Sequence, residues 1–187
     1  MDFNFKINRT INLQEVSSTQ DIAKEIADTI NEDAVLITAI TQTAGRGRFE
    51  RKWESKKGGL YFSIVLRPNK NALPLETLSL KAGRAVASTL KDLYGLKTKI
   101  KLPNDVLAAY HNTYKKIAGI LIETASNSNG DLQWLALGIG IDTNNIPSKH
   151  LSAVSIKQIT GEPTDNKKLL DKFLANFAKE YISWNIA

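Results

Sequence analysis

A glycine-punctuated basic stretch, Thr41–Gly59, separates two apolar runs and constrains the fold more than any other feature of the sequence. The flanking runs, Val35–Ile40 and Leu60–Leu66, are typical of short buried strands. Nineteen residues without apolar periodicity make a long connection for a compact domain. Connections of this length are usually lids, binding loops or disordered segments. The sequence therefore predicts a functional loop carried by two core strands.

The loop holds most of the excess positive charge of the chain. Six basic and two acidic residues give it 6 − 2 = +4, against a formal net charge of +6 for all 187 residues. Gly45 and Gly47 leave room for backbone N–H groups to face a ligand, and arginines offer paired donors to phosphate or carboxylate oxygens. We interpret the loop as a lid that closes over an anion. A solvated connector or a non-specific nucleic-acid contact fits the same composition, and the phosphate-loop pattern GxxxxGK[ST] is absent from the sequence. The charged residues are Arg46, Arg48, Arg51, Lys52, Lys56, Lys57, Glu50 and Glu54.

The composition is that of an ordinary globular protein, with 42% hydrophobic and 24% charged residues. The chain has no cysteine, which excludes disulfides and a thiol nucleophile. Residues 1–16 lack the apolar core of a signal peptide, and no run reaches the roughly 18–20 apolar residues of a membrane span. We therefore expect one domain, residues 1–187, that works in the cytoplasm without membrane contact.

The periodicity predicts an α+β fold with a mixed, largely antiparallel sheet flanked by helices. The predicted strands are Phe3–Ile11, Val35–Ile40, Leu60–Leu66, Val106–Tyr110, Lys116–Thr124 and Leu132–Asp142. In Thr98–Asp105, strand-like alternation puts Ile100 and Leu102 on one face, until Pro103 ends sheet pairing and Asn104-Asp105 starts a turn. The predicted helices are one starting near Ser18 and reaching Ile30, then Pro74–Gly95, Leu151–Ile159 and Asp165–Trp184. Ser18 and Asp21 are placed like the ends of a capping box.

Three places in this framework carry candidate chemistry. Ser18 and Thr19 precede a helix, where capping alone explains them, although a helix N-terminus can also bind a ligand oxygen. The segment Thr98–Asp105, TKIKLPND, brings a lysine, an amide and a carboxylate to one turn, a grouping suited to ribose, phosphate or Mg²⁺. Gly138 and Gly140 lie in mid-strand, where glycine weakens a sheet unless something approaches closely. They indicate either the floor of a ligand pocket or close packing by a crossing helix.

Four parts of the sequence agree in order with one known family. They are SST, GRGRFERKW with SKKGGLYFS, KLPND with KKIAGILIE, and LGIGIDTN. Together they resemble the biotin protein ligases (biotin–acetyl-CoA-carboxylase ligases), whose catalytic domain carries SSTN, GRGRxGRxW, KWPND, K-[LI]-x-G-I-L-x-E and GIGINVN. The resemblance runs from about Ser17 to Asn144. It implies a catalytic domain of the biotin/lipoate ligase type, which is class II synthetase-like. It also implies two reactions: biotin carboxylate attacks the α-phosphorus of ATP, and a carrier-domain lysine then takes the acyl group.

The resemblance also implies roles for single residues. Lys116 and Arg48 would be the catalytic cations, and Asp105 would hold Mg²⁺. Trp53 would help to enclose the adenylate, although an apolar anchor at a strand entrance explains it equally well. The biotin-binding positions would be Ser18, Thr19, Gln20, Gln42, Gly45, Arg46, Gly47, Arg48, Lys116, Gly119, Gly138 and Gly140. The ATP-binding positions would be Arg48, Arg51, Trp53, Lys101, Asn104, Asp105, Lys116 and Asn144.

Three residues depart from the family pattern. Gln20 replaces an asparagine and lengthens a pocket side chain, which puts the detail of biotin contacts in doubt. Leu102 replaces a tryptophan, and Asp142 replaces an asparagine and adds a possible negative charge beside the nucleotide. None of these changes removes Arg48, Asp105 or Lys116, so the sequence predicts an active enzyme.

The implied partners are biotin and the biotin carboxyl carrier protein of acetyl-CoA carboxylase or a related enzyme, with a homodimer as one option for the assembly. Sixteen residues precede Ser17, too few for a helix-turn-helix, and the chain ends where many relatives continue into a small β-barrel. We therefore expect neither of these domains and no DNA partner. A lipoate or octanoate ligase on a related fold is the nearest alternative, and a basic nucleic-acid-binding module is a remote one. The missing thiol excludes a cysteine-dependent lipoyl-family acyltransferase.

Overall fold

The computed structural model describes residues 5–69, 72 and 74–185. Within them, one mixed sheet contains the strands β1 (Arg9–Val16), β2 (Val35–Gln42), β3 (Leu60–Leu66), β4 (Thr98–Lys101), β5 (Asp105–Tyr110), β6 (Thr113–Ser126) and β7 (Leu132–Ile141). Their order across the sheet is β1-β2-β3-β7-β6-β5-β4. β1 and β2 are parallel, and all the other neighbouring pairs are antiparallel. The predicted α+β fold with a largely antiparallel sheet is confirmed.

Four α-helices accompany the sheet in the described residues: α1 (Thr19–Thr29), α2 (Leu75–Tyr94), α3 (Ile156–Thr160) and α4 (Asn166–Asn185). Gly95 ends α2 in the left-handed conformation, with φ 64°, as its position after the apolar stripe predicts. Ser18 caps α1 by accepting the N–H of Gln20, while Asp21 accepts from the Ser17 hydroxyl. The Asp21 carboxylate therefore faces Ser17 instead of the Ser18 backbone that a capping box requires.

Helices α2 and α4 pack on one face of the sheet. Their buried side chains, such as Val86 and Phe173, join the odd-numbered residues of β7, such as Leu137 and Ile139, in the larger hydrophobic cluster. Leu137 and Val86 are fully buried, so burial on this face supplies most of the apolar stabilisation, at roughly 25 cal/mol per Å². The strand predicted at Leu132–Asp142 is confirmed as β7, and its odd-numbered residues lie on this face.

Helix α1 covers the other face only in part. Ala23 and Ile26 pack with Val35, Val65 and Ala136 in a smaller cluster. Beyond Ala136, the same face of β7 continues with Gly138 and Gly140, and among the described helices only the start of α1 reaches it, through Gln20 at Gly138. This uncovered half of the sheet lies beneath the basic loop, and it is where the candidate site forms.

The prediction for the first strand was wrong in its bounds. β1 is Arg9–Val16, residues 5–8 are not strand, and Phe3 lies outside the described residues. β1 pairs with β2 from Arg9↔Val35 to Val16↔Gln42, so its partner sets its position along the chain. Phe5 instead packs edge-on against Phe177 in the larger cluster.

The helix predicted at Leu151–Ile159 is also shorter than expected. Ala153 forms an isolated bridge with Lys116, and the Val154 N–H donates to the Lys116 carbonyl at 2.8 Å. The backbone there is extended, and α3 begins only after Ser155 caps it with a complete capping box to Gln158. Leu151, Ser152 and Ala153 line the edge of the site, while Val154 belongs to the core.

Candidate functional site

Two adjoining hollows lie between the uncovered half of the sheet and the basic loop. The larger has a volume of about 390 Å³ and the smaller about 340 Å³. Pockets for small molecules usually fall in the range of about 300–1,000 Å³. The two hollows share lining residues, so a ligand of two parts can occupy both at once. The shared residues are Arg51, Lys52, Trp53, Lys101, Asp105, Lys116 and Leu151.

The inner end of the larger hollow is lined by the uncharged polar side chains of Ser18, Thr19, Gln20 and Gln42. The Thr19 N–H and hydroxyl both point at Oε1 of Gln42, at 2.8 and 3.2 Å, and the Thr19 hydroxyl lies 2.9 Å from that of Ser63. Gln42 in turn donates to the Ser55 hydroxyl at 2.7 Å. The Ser18 hydroxyl accepts from the Gln20 N–H and keeps its own proton available to donate. This end suits an uncharged polar ring.

Mid-strand glycines form the floor. A methyl group at Gly138 would lie 2.8 Å from Cδ of Gln20, and one at Gly140 would lie 2.5 Å from the indole of Trp53. Gly119 on β6 faces the same indole, with a methyl group there 3.0 Å from the ring. Gly138, Gly140 and Gly119 all line the larger hollow, which supports the prediction of a pocket floor. The side chain of Gln20 from α1 also crosses Gly138, so the prediction of close packing by a helix holds in part as well.

Lys116 lies where the two hollows meet. Its Nζ is 2.6 Å from Oδ1 of Asp105 and 5.1 Å from the centre of the Trp53 ring. The β5–β6 register shifts between Val106 and Leu107, and such a bulge re-aims the side chains beside it. The Lys116 side chain is 31% exposed, so its ammonium can exchange the Asp105 carboxylate for an anion of a ligand.

The first end of the loop is held by ion pairs. Arg46 donates to Asp21 at 2.6 Å and to Glu123 at 3.1 Å. Burial would lower the pKa of Arg46, but the hydrogen bond to Asp21 and the charges of Glu123 and Asp21 outweigh it and raise the pKa above its ordinary value. Arg46 and Lys52 also form an isolated antiparallel bridge, so the backbone makes a narrow hairpin here.

The tip of the loop has different surroundings. Phe49 has φ 56° and ψ 41° inside a short 3₁₀ turn, Arg48–Glu50, and is 80% exposed. The Arg48 guanidinium lies 5.1 Å from the Phe49 ring. Arg48 and Arg51 form no ion pair with any residue that the structure describes, and both line the larger hollow. These cations are available to a ligand.

The second end of the loop is tied to α4 and to the segment after β7. Asn166 donates to the carbonyl oxygens of Gly58 and Gly59 at 3.2 and 3.1 Å. The Thr143 hydroxyl donates to the Gly58 carbonyl, and the Asn144 N–H donates to it at 3.1 Å. Gly58 has φ 105°, a conformation that favours glycine. Both ends of the loop are thus fixed, whereas Arg48 and Arg51 at the tip form no ion pair with the residues that the structure describes.

Of the eighteen predicted site positions, all but Gly45 and Asn144 line the larger hollow, which makes 18 − 2 = 16. A methyl group at Gly45 would lie 2.5 Å from Oγ of Ser55, so Gly45 is a close-packing position beside the hollow. Asn144 exchanges two hydrogen bonds with the backbone of Thr164, at 2.6 and 2.9 Å. Asn104 lines the hollow, and its amide also donates to the Ile120 carbonyl at 2.9 Å. ATP binding by Asn144 stays a prediction.

Asp142 lines the smaller hollow and is only 5% exposed. Burial raises the pKa of Asp142 to about 6, against the opposing effects of the hydrogen bond from Asn145 and the charge of Lys116. The Asn145 amide donates to Asp142 at 2.6 Å. A carboxylate with this pKa is partly protonated just below neutral pH, so it can both accept and donate hydrogen bonds in the smaller hollow.

Sequence reasoning missed some lining and supporting residues. Phe49 and Leu151 line the larger hollow, and Tyr114 lines the smaller one. Glu123, outside the lining, accepts hydrogen bonds from both Gln20 and Arg46. Glu123 could have been predicted from the sequence, because it is the last residue of the motif KKIAGILIE. Nothing in the spacing of the sequence marks Phe49, Tyr114 or Leu151 as site residues.

No group of three or more His, Cys, Asp or Glu side chains is placed to hold a metal ion within the described part of the chain. Among the same residues, none of the helices combines the length and apolar character that crossing a membrane demands.

Comparisons with known proteins identify relatives of this chain. The sequence pattern of the Biotin/lipoate A/B protein ligase family matches residues 13–142. The bifunctional ligase/repressor BirA of Bacillus subtilis is 35% identical over 89% of this chain and 51% of that protein, so the chain spans about half of its length. The biotin–[acetyl-CoA-carboxylase] ligase of Paracoccus denitrificans is 33% identical over 89% of this chain and 70% of that protein. A solved structure of the Aquifex aeolicus biotin protein ligase with biotin and ATP aligns with a TM-score of 0.81 and 31% identity, over 95% of this chain and 72% of that one.

Proposed function

Because the chain belongs to the Biotin/lipoate A/B protein ligase family, we propose that it catalyses ATP-dependent biotinylation of a carrier protein. In the first step, a biotin carboxylate oxygen bonds to the α-phosphorus of ATP and pyrophosphate leaves. In the second, the amine of a carrier lysine bonds to the acyl carbon, AMP leaves and the amine loses a proton. The names of the Paracoccus denitrificans and Aquifex aeolicus relatives support this activity.

The position of Lys116 is the observation that carries the proposal. Its ammonium stands between a hollow with a neutral polar inner end and a second hollow lined by Lys101 and Asp142. A vitamin whose ring occupies the inner end would present its carboxylate at Lys116, and a nucleotide in the second hollow would present its α-phosphate at the same point. Negative charge that develops there is stabilised by a fixed cation.

The loop cations complete this electrostatic arrangement. Arg48 and Arg51 line the larger hollow beside Lys116, and Arg51 and Lys101 line both hollows. Arginine binds phosphate through two parallel donors, which suits the triphosphate of the nucleotide. The indole of Trp53, in the same loop, lies over Gly119 and Gly140 of the floor, where it would help to exclude water from the mixed anhydride formed in the first step.

Mg²⁺ fits the site as a companion of the nucleotide. Asp105 is the only acidic side chain among the described residues that line the larger hollow. Mg²⁺ is usually held by one or two carboxylates together with substrate phosphates, so a single carboxylate is enough. When bound, the ion would neutralise phosphate charge. Asp105 would hold it once Lys116 has turned from Asp105 to the substrate.

Biotin fits the inner end better than lipoate or octanoate does. A cyclic urea carries two N–H donors and one carbonyl acceptor, whereas a dithiolane ring or an alkyl chain has none. The Ser18 hydroxyl can donate, and Oε1 of Gln20 is buried without a hydrogen-bond partner among the described residues. A site built for hydrogen bonds rejects an analogue that lacks them, by up to about 10⁴–10⁵-fold.

The test of this proposal is a transfer assay. Labelled biotin, ATP and a biotin carboxyl carrier domain are incubated with the protein, and both the labelled acceptor and biotinyl-5′-AMP are measured. We expect both products, and we expect lipoate to compete weakly. Absence of both products, or equal use of lipoate, contradicts the proposal. Steeply salt-dependent binding of DNA by a chain that makes neither product would support the nucleic-acid alternative instead.

The proposal places the reaction in the cytoplasm, where ATP is available. The acceptor is the biotin carboxyl carrier domain of acetyl-CoA carboxylase or of a related biotin-dependent enzyme. A homodimer stays a prediction, which light scattering with and without biotin would test.

A further inference from the structure

Glu123 lies on β6 behind the inner end of the larger hollow, outside its lining. It is paired in register with Ala136 of β7, two residues before Gly138, and its side chain is 25% exposed. Oε2 of Glu123 accepts from the Gln20 amide at 2.9 Å and from Arg46 at 3.1 Å. Lys24 of α1 lies 3.5 Å from Oε1. One carboxylate thus contacts the pocket wall, the base of the loop and helix α1.

These contacts fix the orientation of the Gln20 amide. Its NH₂ group lies between two acceptors, Oε2 of Glu123 and the Ala136 carbonyl at 3.3 Å. The reverse orientation would place the amide oxygen against a carboxylate and a carbonyl, which is unfavourable because all three are acceptors. Oε1 of Gln20 must therefore lie on the other side, beside Gly138 of the floor.

Oε1 of Gln20 is the second observation that points to a ligand. Gln20 is 3% exposed, it lines the hollow, and Oε1 has no hydrogen-bond partner among the described residues. A buried acceptor without a partner costs about 1–3 kcal/mol, so such groups call for an explanation. A ligand N–H that enters over Gly138 would supply the missing donor.

We propose that Glu123 is a positioning residue, which turns the Gln20 carbonyl oxygen toward a ligand N–H and holds Arg46 at the base of the loop. The same carboxylate thereby links the end of the pocket that binds the ring to the loop that covers the anhydride. The identity of the N–H ligand as biotin rests on the proposed function. Glu123 touches neither the ligand nor the reacting atoms, and it acts through Gln20 and Arg46.

The experiment compares two substitutions at Glu123 with a matched control. Glu123→Met keeps the length of the side chain but offers no oxygen, and Glu123→Gln keeps one acceptor without the charge. Glu180→Met removes a carboxylate of similar exposure, 28%, which pairs with Lys81 at the interface between α2 and α4. Biotin affinity without nucleotide is measured by calorimetry, and KM values are measured for biotin and for ATP.

We expect Glu123→Met to weaken biotin binding about tenfold or more and to raise the KM for biotin, because the charged hydrogen bond to Gln20 is lost. The KM for ATP should change less than about twofold, because Asp21 still holds Arg46 at the base of the loop. Glu123→Gln should lie between Glu123→Met and the unchanged protein. Glu180→Met should leave biotin affinity within about twofold. A merely structural carboxylate would lower thermal stability without separating the two KM values.

Three results would overturn the inference: unchanged biotin affinity in Glu123→Met, an equal loss in Glu180→Met, or a parallel rise of both KM values. If Glu123→Met does not fold, unchanged biotin affinity in Glu123→Gln overturns it as well. Failure of the unsubstituted protein to bind biotin is a different outcome, since it contradicts the proposed function itself.

Discussion

Arg46 and Arg48 stand two residues apart in the same loop, yet their surroundings differ. Arg46 is clamped between Asp21 and Glu123, at 2.6 and 3.1 Å. Arg48 lies against the exposed ring of Phe49 and forms no ion pair within the part of the chain that the structure describes. The first arginine fastens the loop to the fold, and the second is left for a ligand.

The difference shows that a count of charges does not measure what a loop offers to an anion. The loop has an excess of four positive charges, but two carboxylates from outside it already surround Arg46. We therefore expect anion binding to depend on the tip, with Arg48 and Arg51, and on Lys116 beneath it. The following predictions test this division, from the largest expected effect to the smallest.

Replacing Lys116 should have the largest effect. Lys116→Ala removes the cation at the junction of the hollows, and we expect adenylate formation to fall by about 10²–10³-fold. Pyrophosphate release in the presence of biotin measures this step. Lys115→Ala is the matched control, because the Lys115 side chain lies over the ring of Tyr110 and lines neither hollow. Unfolding of the Lys116 variant, seen by circular dichroism, would show instead that this lysine is structural.

Replacing Arg48 should affect the reaction rate, whereas replacing Arg46 should affect the stability of the fold. Arg48→Ala should lower the rate of adenylate formation by roughly 10–10²-fold without lowering the melting temperature, because it removes a ligand contact only. Arg46→Ala should lower the melting temperature, since it leaves the part-buried carboxylates of Asp21 and Glu123 close together without a shared cation, at a cost of about 1–3 kcal/mol. Calorimetric melting and the pyrophosphate assay measure both quantities.

Lys57→Ala controls for the loss of any loop charge, because Lys57 lines neither hollow. Equal losses of rate in Arg48→Ala and Lys57→Ala would mean that the loop acts by net charge alone. A stable Arg46→Ala variant would mean that the clamp does not fasten the loop.

Asp142→Asn should stabilise the protein at alkaline pH. The folded-state pKa of about 6 lies above the ordinary value of 3.8, so folding favours the protonated carboxyl. The stability contributed by the protonated carboxyl is complete below about pH 3.8 and is lost as the pH rises through 6, which leaves a buried charge that costs on the order of 3 kcal/mol at pH 8. We expect a higher melting temperature for the variant at pH 8 and almost no difference at pH 4. A gain of the same size at both pH values would contradict this cause.

Phe49→Asn should give the smallest effect. Phe49 holds φ 56° and is 80% exposed, so its ring contributes little burial. Asparagine tolerates the left-handed region better, and we expect a gain in stability of roughly 0.5 kcal/mol, measured by urea unfolding. Ile146→Asn is the control, because Ile146 is 70% exposed and is not among the described non-glycine residues with positive φ. A loss of stability in Phe49→Asn would show that the exposed ring makes contacts that stabilise the tip.

Much of the fold could be predicted because local patterns agree with packing. The bounds of Leu60–Leu66 were predicted correctly, since every residue in this strand is buried and loops bound it on both sides. The bounds of β1 were wrong because polar and apolar residues alternate throughout residues 1–16, and only the pairing with β2 selects Arg9–Val16. Local periodicity alone does not show which of these residues pair with β2.

The residues that line the site were predicted better than the ion pairs and hydrogen bonds that support them from outside the lining. Sixteen predicted positions meet in one hollow because the motifs that carry them fall at the start of α1, on β6 and β7, in the turn after β4 and in the loop above the same face of the sheet. The partners of Arg46, by contrast, are 25 and 77 residues away along the chain. Contacts between side chains that distant depend on the register of the sheet, so short motifs do not reveal them. The ties of Asn144 to Thr164 were missed for the same reason.

The floor of the site has a consequence for how the protein could acquire a different ligand. Gly138 faces Gln20, and Gly140 faces Trp53, each so closely that even one added carbon would collide with its neighbour. A larger residue at either glycine is acceptable only together with a smaller one opposite. Ligand preference should therefore change through coupled double substitutions in these two pairs, and single substitutions should mostly abolish binding.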